Sequence, residues 1–349
     1  MIKILKEHLE RYPQMQIQDV AKLIYQNEFG GGHLISDKEK CLKRIQEEYQ
    51  CIAQDSIPYT PCIESIGNGM CRIHLSALSH SLSDQVLNEI FIQSANSVTG
   101  TINSLEKKIL LCLSACKDGL LPFSYEQASV FFSNWKKQGY PAISHSDTYR
   151  KLYKPAYRVA AESFGKIFEI IQKIEKERPA VIAIDGMCAA GKTTLGKLIH
   201  LNYPESNLFH MDDYFLRPHQ RTSERLSEIG GNVDYERFND EIISHIRDKN
   251  GLSYHIYDCQ TQSLSSAIFV PWRPLTIIEG SYSHHPYFGN PYDFKIFCKI
   301  SSDEQKNRIL TRNGPEMLKR FVNEWIPKEN AYFELYKSSD ITLFLNNTI

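Results

Sequence analysis

The sequence predicts an α/β unit with a parallel sheet and helices on both faces, preceded by a mainly α-helical unit. Three observations carry that prediction. From residue 179 onward, short β-branched runs alternate with helical segments. A glycine-rich loop pattern follows the first of those runs directly, and the residues before it show mostly helical spacing. The boundary falls near residue 178, dividing the chain into 1–178 and 179–349.

The first unit reads element by element. "DVAKLIYQNEF" and "KEKCLKRIQEEYQCI" place apolar residues three and four apart, the spacing of one buried helix face. "SDQVLNEIFIQSA", "SLEKKILLCLSAC" and "SYEQASVFFSNWKKQ" repeat the pattern, each with a Ser or Asn placed to cap it. Between them "PYTPCIESIGNGMCRIHL" carries Pro and Gly punctuation and predicts a short extended segment. A long helix is expected from about Pro155 to Lys176, with Pro155 in its first turn. In the second unit "AVIAID", "NLFHMD", "LTIIEG", "FKIFCKI" and "ITLFLN" have the length and composition of central strands in a parallel sheet.

Composition narrows the class. The 349 residues suit two domains, and 42% hydrophobic with 23% charged residues predicts packed interiors. A net charge of −1 argues against a surface that binds nucleic acid throughout, leaving a local patch as the remaining option. Nine cysteines without any Cys-x-x-Cys pair suit a reducing compartment, and Cys112 and Cys116 are expected to pack rather than bind. No apolar run approaches membrane-spanning length and the N-terminus lacks the apolar core of a signal peptide, so a soluble cytoplasmic protein with no membrane partner is expected.

"GMCAAGKTTLGKLI" has the spacing of a phosphate-binding loop between strand and helix. Gly186, Met187, Cys188, Ala189, Ala190, Gly191, Lys192, Thr193 and Thr194 are the expected nucleotide contacts. Glycines let backbone amides curl around phosphate oxygens, and the following helix turns its positive end toward them. Lys192 is placed to reach the β- and γ-phosphates and Thr193 to bind Mg²⁺, so ATP and Mg²⁺ are the implied cofactors. "LFHMDDYFLRP" sets Asp212 and Asp213 at the carboxyl end of the next strand, where ligands of such sheets sit. A carboxylate there is positioned to hold and deprotonate an acceptor hydroxyl, and the second acid is free to cap the next helix or loop. Asp234 opens a helix in "NVDYERF", placed to hold a polyhydroxy substrate, and Glu279 ends another strand where an acid orders Mg²⁺. Arg308 and Arg312, four apart on one helix face, are placed to close over the phosphates.

Taken in order, "GMCAAGKTT", "MDDYF", "NVDYERF", "YDCQTQS", "IIEGSY" and "RILTRNG" resemble the uridine kinase and phosphoribulokinase family of P-loop kinases over residues 179–349. The resemblance implies a P-loop kinase fold and phosphoryl transfer to a hydroxyl of a nucleoside-like or sugar-like metabolite. It implies Asp212 as the catalytic aspartate with Lys192, Arg308 and Arg312 beside it. It also implies Asp234 on the acceptor, with Tyr214, Tyr257 and Gln262 on the same side. "DDYFLRP" is especially similar to the nicotinamide riboside kinases. After Tyr257-Asp258 the family's His and Arg are replaced by Gln262 and Leu264, and Asn313 stands where the family's arginine segment carries an acid.

Residues 1–178 resemble no family. "NEFGGGHL" reads as a flexible turn or an anion loop, and His33, His74 and His145 are ordinary histidines or a metal site. Tyr149, Tyr153 and Tyr157 recur every four residues beside Arg150, Lys154 and Arg158, so residues 149–158 are the one expected place for nucleic acid. Three functions therefore stand: a small-molecule kinase, an ATP-responsive regulatory protein whose helical unit engages RNA or a protein, or a kinase fused to a second enzyme.

Overall fold

The structure, a computed structural model, describes residues 1–32, 35, 37–53, 62–97, 100–336 and 341–346. It divides into two compact units, Met1–Glu169 and Ile170–Ile349.

The first unit contains α1 (Ile2–Arg11), α2 (Ile17–Phe29) and α3 (Lys38–Ala53), the hairpin β1 (Ile63–Gly67) and β2 (Met70–His74), then α4 (Asp84–Ser97), α5 (Ile102–Lys117), α6 (Tyr125–Lys137), α7 (Asp147–Tyr153) and β3 (Tyr157–Ala161). Helix α8 (Glu162–Glu177) runs from this unit into the next. Helical spacing delivers Val20, Leu23 and Ile24 of α2, Leu105, Ile109 and Cys112 of α5 and Phe132 and Trp135 of α6 to one core. Cys112 and Cys116 pack there, as their spacing predicts.

Two segments differ from the sequence reading. The extended stretch is a full hairpin whose turn, Asn68-Gly69, has both residues at positive φ (57° and 69°). The long helix expected from Pro155 begins only at Glu162: Lys154 ends α7 in the left-handed region (φ 41°), and residues 157–161 form β3 against β2. Tyr149, Tyr153 and Tyr157 therefore do not share a helix face. Tyr149 is buried and stacked on His145, and Arg158 is buried in a two-pronged pair with Glu48, so the exposed stripe at 149–158 does not form.

In the second unit β4 (Ala180–Gly186), α9 (Lys192–Asn202) and β5 (Asn207–His210) are followed by α10 (Ser223–Ser227) and α11 (Tyr235–Glu241). Short antiparallel pairs come next, β6 (Leu252–Tyr254) with β9 (Ile268–Val270) around β7 (Tyr257–Asp258) with β8 (Ser263–Leu264). The chain ends with β10 (Leu275–Glu279), β11 (Phe294–Lys299), α12 (Ser302–Arg320), α13 (Ile326–Leu335) and β12 (Leu343–Asn346). The main sheet is parallel, in the order β12-β11-β4-β10-β5. β4 and β10 are buried at every position, so both faces are covered, which is why their sequences are continuous apolar runs. The glycine-rich loop follows β4, the central strand of the five. Helix α12 breaks at Gly314-Pro315, where Pro315 cannot continue the hydrogen-bond ladder. Among the described residues no helix is long and apolar enough to cross a membrane.

Candidate active site

Three strand ends converge on the loop after β4. Gly186 has φ 134°, and a side chain there would put its Cβ 2.1 Å from the Cys298 carbonyl of β11. Only glycine lets the chain turn that close to its neighbour. The loop then runs through Met187, Cys188, Ala189, Ala190 and Gly191 into α9, whose first turn holds Lys192, Thr193 and Thr194. Helix α9 has no side-chain cap, so its first amides keep their donors for a ligand. The buried Lys192 ammonium donates to the carbonyls of Gly186 (2.7 Å) and Met187 (3.0 Å).

Glu279, at the end of β10, is buried and joins two neighbouring strands' products: it accepts from the Thr193 hydroxyl at 3.1 Å and meets His210 Nδ1 at 2.5 Å. That carboxylate holds His210 above its ordinary pKa. Thr193 and Glu279 thus present two hard oxygens side by side, a donor set that fits Mg²⁺, which takes one or two protein oxygens with phosphate and water completing its shell. Among the described residues no larger His, Cys, Asp or Glu cluster suited to a metal occurs.

β5 ends at His210, and Met211–Tyr214 form a tight 3-10 turn rather than continuing the strand. Asp212 is exposed at its tip, yet protein crowds around it: burial first, and then the Glu279 charge, raise its pKa, while Lys192, His210 and Arg312 pull the other way. Those opposing charges come from the phosphate loop, β5 and α12, so the electrostatics of all three elements meet at one carboxylate. Asp213 is also raised, by burial first. The turn is held from beneath. Arg237 lies 4.0 Å over the Tyr214 ring and donates to the Asp213 carbonyl at 3.1 Å.

The other residues singled out by the sequence take varied places. Asp234 is buried next to the turn, its amide donating to the Tyr214 carbonyl at 2.7 Å. Its carboxylate caps α11 through Arg237 N (3.2 Å) and accepts from Gln220 (3.0 Å). Tyr214 has no exposed surface and its hydroxyl donates to Glu241 at 3.0 Å. Tyr257 is buried and its hydroxyl accepts from Arg221 at 3.0 Å. Gln262 is exposed in the β7–β8 turn. Arg308 pairs with Glu304 and reaches the Ala189 carbonyl at 3.4 Å, and Arg312 is exposed beside Asn313. His33 lies outside the described residues; His74 and His145 both flank the Tyr157 ring, with ring centres 5.7 and 5.9 Å away.

The sequence reading missed Glu329 of α13, which is buried and accepts from the Cys188 amide (2.9 Å) and the Ser281 hydroxyl (2.6 Å). It missed Tyr332 one turn on, whose hydroxyl donates to the buried Asp185 at 2.9 Å. It missed His210 too, although that residue sits two before Asp212 in a recognised strand, which is signal enough to have marked it.

No protein-family model matches the chain. Among curated proteins it is similar to pantothenate kinases, 28% identical over 177 residues to that of Streptococcus pyogenes (strain Manfredo), covering 45% of this chain and 56% of the relative. The Streptococcus agalactiae serotype III enzyme is 25% identical over 166 residues, with 43% and 54% covered. The chain spans about half the length of the curated relatives it matches. Among solved structures a possible uridine kinase from Bacillus stearothermophilus aligns with TM-score 0.41 and 21% identity, over 52% of this chain and 99% of that one. D-glycerate 3-kinase from Cryptococcus neoformans var. grubii aligns with TM-score 0.39 and 12% identity, over 54% and 96%.

Proposed function

We propose that the chain is an ATP- and Mg²⁺-dependent kinase that transfers a γ-phosphoryl group to a hydroxyl of a small nucleoside-like or sugar-like metabolite. The observation that carries this reading is the exposed Asp212 carboxylate, within electrostatic reach of both Lys192 and Arg312. The pantothenate kinase relatives, named for a small-molecule acceptor, support it.

In this mechanism the α9 amides and Lys192 bind the phosphates, Lys192 exchanging its two carbonyl partners for phosphate oxygens. Thr193 and Glu279 would hold Mg²⁺, which neutralises charge on the transferring group when bound. Asp212 accepts the acceptor's hydroxyl proton as the new phosphorus–oxygen bond forms and the bond to the departing ADP breaks. Its raised pKa suits that exchange. Arg308 and Arg312 stabilise the moving charge. Asp234 and Arg237 hold the turn that aims Asp212.

Asp212→Asn should leave nucleotide binding intact and lower turnover by roughly 10²–10⁴-fold, the usual worth of a positioned base. Near-parental turnover on the true acceptor removes Asp212 from this role. The acceptor is found by following ADP release over nucleosides, sugars, glycerate and pantothenate. Silence across that panel, together with salt-sensitive RNA retention, supports the regulatory alternative instead.

A further inference from the structure

Two buried carboxylates stand near the ends of neighbouring strands in the parallel sheet, and their surroundings differ. Asp185 of β4 accepts from the amides of Gly186 (2.7 Å), Tyr282 (3.1 Å) and His284 (3.0 Å) and from the Tyr332 hydroxyl (2.9 Å). That fills the roughly four acceptor positions of an ionised carboxylate. Glu279 of β10 is also buried, yet among the described residues it accepts only from His210 Nδ1 at Oε1 (2.5 Å) and from the Thr193 hydroxyl at Oε2 (3.1 Å). About half of its acceptor capacity is left unused inside the protein, where an unmet group costs stability unless a ligand takes it up.

The strand register explains how the imidazole reaches this carboxylate. Glu279 and His210 stand opposite each other in the parallel ladder of β10 and β5, so their side chains leave the same face of the sheet. The next residues hold the pair together. Gly280 has φ 136°, and a Cβ on it would meet Met211 Cβ at 2.6 Å, so the chain beyond the two strands is pressed close. On the helix side, a Cβ on Gly196 of α9 would lie 3.2 Å from Glu279 Cγ, which confines the stem of the carboxylate. A carboxylate only accepts, so Nδ1 carries a proton and donates it. His210 keeps 31% of its side chain exposed against 5% for Glu279, so what it supplies is the bond rather than burial.

We propose, resting on the kinase reading and deepening it, that His210 is a positioning residue of the metal centre: its Nδ1–H anchors Glu279 Oε1 and keeps Oε2 beside Thr193, where a divalent cation would be held. Without that anchor the carboxylate turns freely about its last bond, which has broad torsional minima, and the two hard oxygens lose their spacing. Hydrogen-bond partners of metal-binding carboxylates are worth about 10–100-fold in metal affinity. Among the described residues His210 forms no hydrogen bond to the phosphate loop, so nucleotide binding without metal does not depend on it.

The test uses the full chain loaded with a non-hydrolysable ATP analogue. Mn²⁺ is titrated in and the free ion is counted by electron paramagnetic resonance, while calorimetry in chelator gives the metal-free nucleotide affinity. His210→Leu should weaken Mn²⁺ binding by about 10–100-fold and leave the metal-free affinity at its parental value. His210→Asn, whose amide nitrogen takes nearly the place of Nδ1, should recover most of that loss. A purely structural role predicts instead a lower thermal midpoint with unchanged Mn²⁺ affinity. If His210→Leu binds Mn²⁺ as tightly as its parent, or His210→Asn recovers nothing, the positioning role is refuted. If Thr193→Ala and Glu279→Gln bind Mn²⁺ like the parent too, the metal site of the proposed kinase has itself failed, and the role of His210 falls with it.

Discussion

At Cys188 one amide of the phosphate loop is already committed, to the carboxylate of Glu329. Glu329→Ala strands that amide and the Ser281 hydroxyl in a buried setting, a loss of about 1–3 kcal/mol that loosens the loop. The KM for nucleotide should rise roughly tenfold, with Glu329→Gln restoring most of it because its amide oxygen still accepts. An alanine variant with parental KM would show that the loop stands without this contact. Such residues also mark the reach of local sequence patterns. Lys192, Thr193 and Asp212 were legible because motif spacing and strand ends are local properties. Glu329 was not, because its partner lies 141 residues earlier in the chain, and Arg237 likewise reads as one more helix charge until Tyr214 folds beneath it.

Among the elements, Gly186 decides whether β4 can hand the chain to the loop beside β11. Gly186→Ala places a methyl group against the Cys298 carbonyl at positive φ, and should destabilise the second unit by about 3 kcal/mol or more. Denaturant unfolding reads this directly, and an unchanged midpoint would contradict the packing described. The central strands β4 and β10 were visible in the sequence because burial on both faces demands continuous apolar runs. β3 was not: "YRVAA" is too short to distinguish from helix by periodicity, and only pairing with β2 makes it a strand. The Asn68-Gly69 turn did carry a hairpin signal, one that the punctuation of the surrounding stretch obscured.

For the whole molecule, the buried histidines set a pH limit. Burial first, then Arg72, lowers His8 to about 4; burial lowers His145 to about 3, with Arg72 and Lys22 adding to it against the raising Asp19 bond. Both remain neutral when folded, whereas unfolded histidine takes up a proton below about pH 6.5. The unfolded chain then binds more protons, so stability is full above that value and falls as pH drops, by roughly 1.4 kcal/mol per histidine per pH unit. Burial opposes the charged Glu64, but hydrogen bonding and Arg72 hold it well below the usual carboxylate range, so its loss continues in the same direction at lower pH. The first unit's thermal midpoint should fall clearly between pH 7.5 and 5, and a flat profile would mean the histidines are solvated. The change of spacing along the chain predicts a boundary near residue 178, whereas the compact units part between Glu169 and Ile170. The surroundings of His8 and His145 carry no local signal at all, because partners such as Asp19, Arg72 and Tyr157 are scattered from residue 19 to residue 157.

Helix α8 has a practical consequence for anyone dissecting this protein. Its C-terminal turns carry the buried Ile170, Ile171 and Ile174; Tyr203 donates to the Ile171 carbonyl at 3.3 Å and Lys173 sits over the Phe294 ring. A fragment starting at residue 179 leaves that apolar surface bare, forfeiting about 1.5–3 kcal/mol for each isoleucine, and should aggregate on expression. One starting at residue 162 keeps its cover and should stay monodisperse, so the scissors belong before the helix.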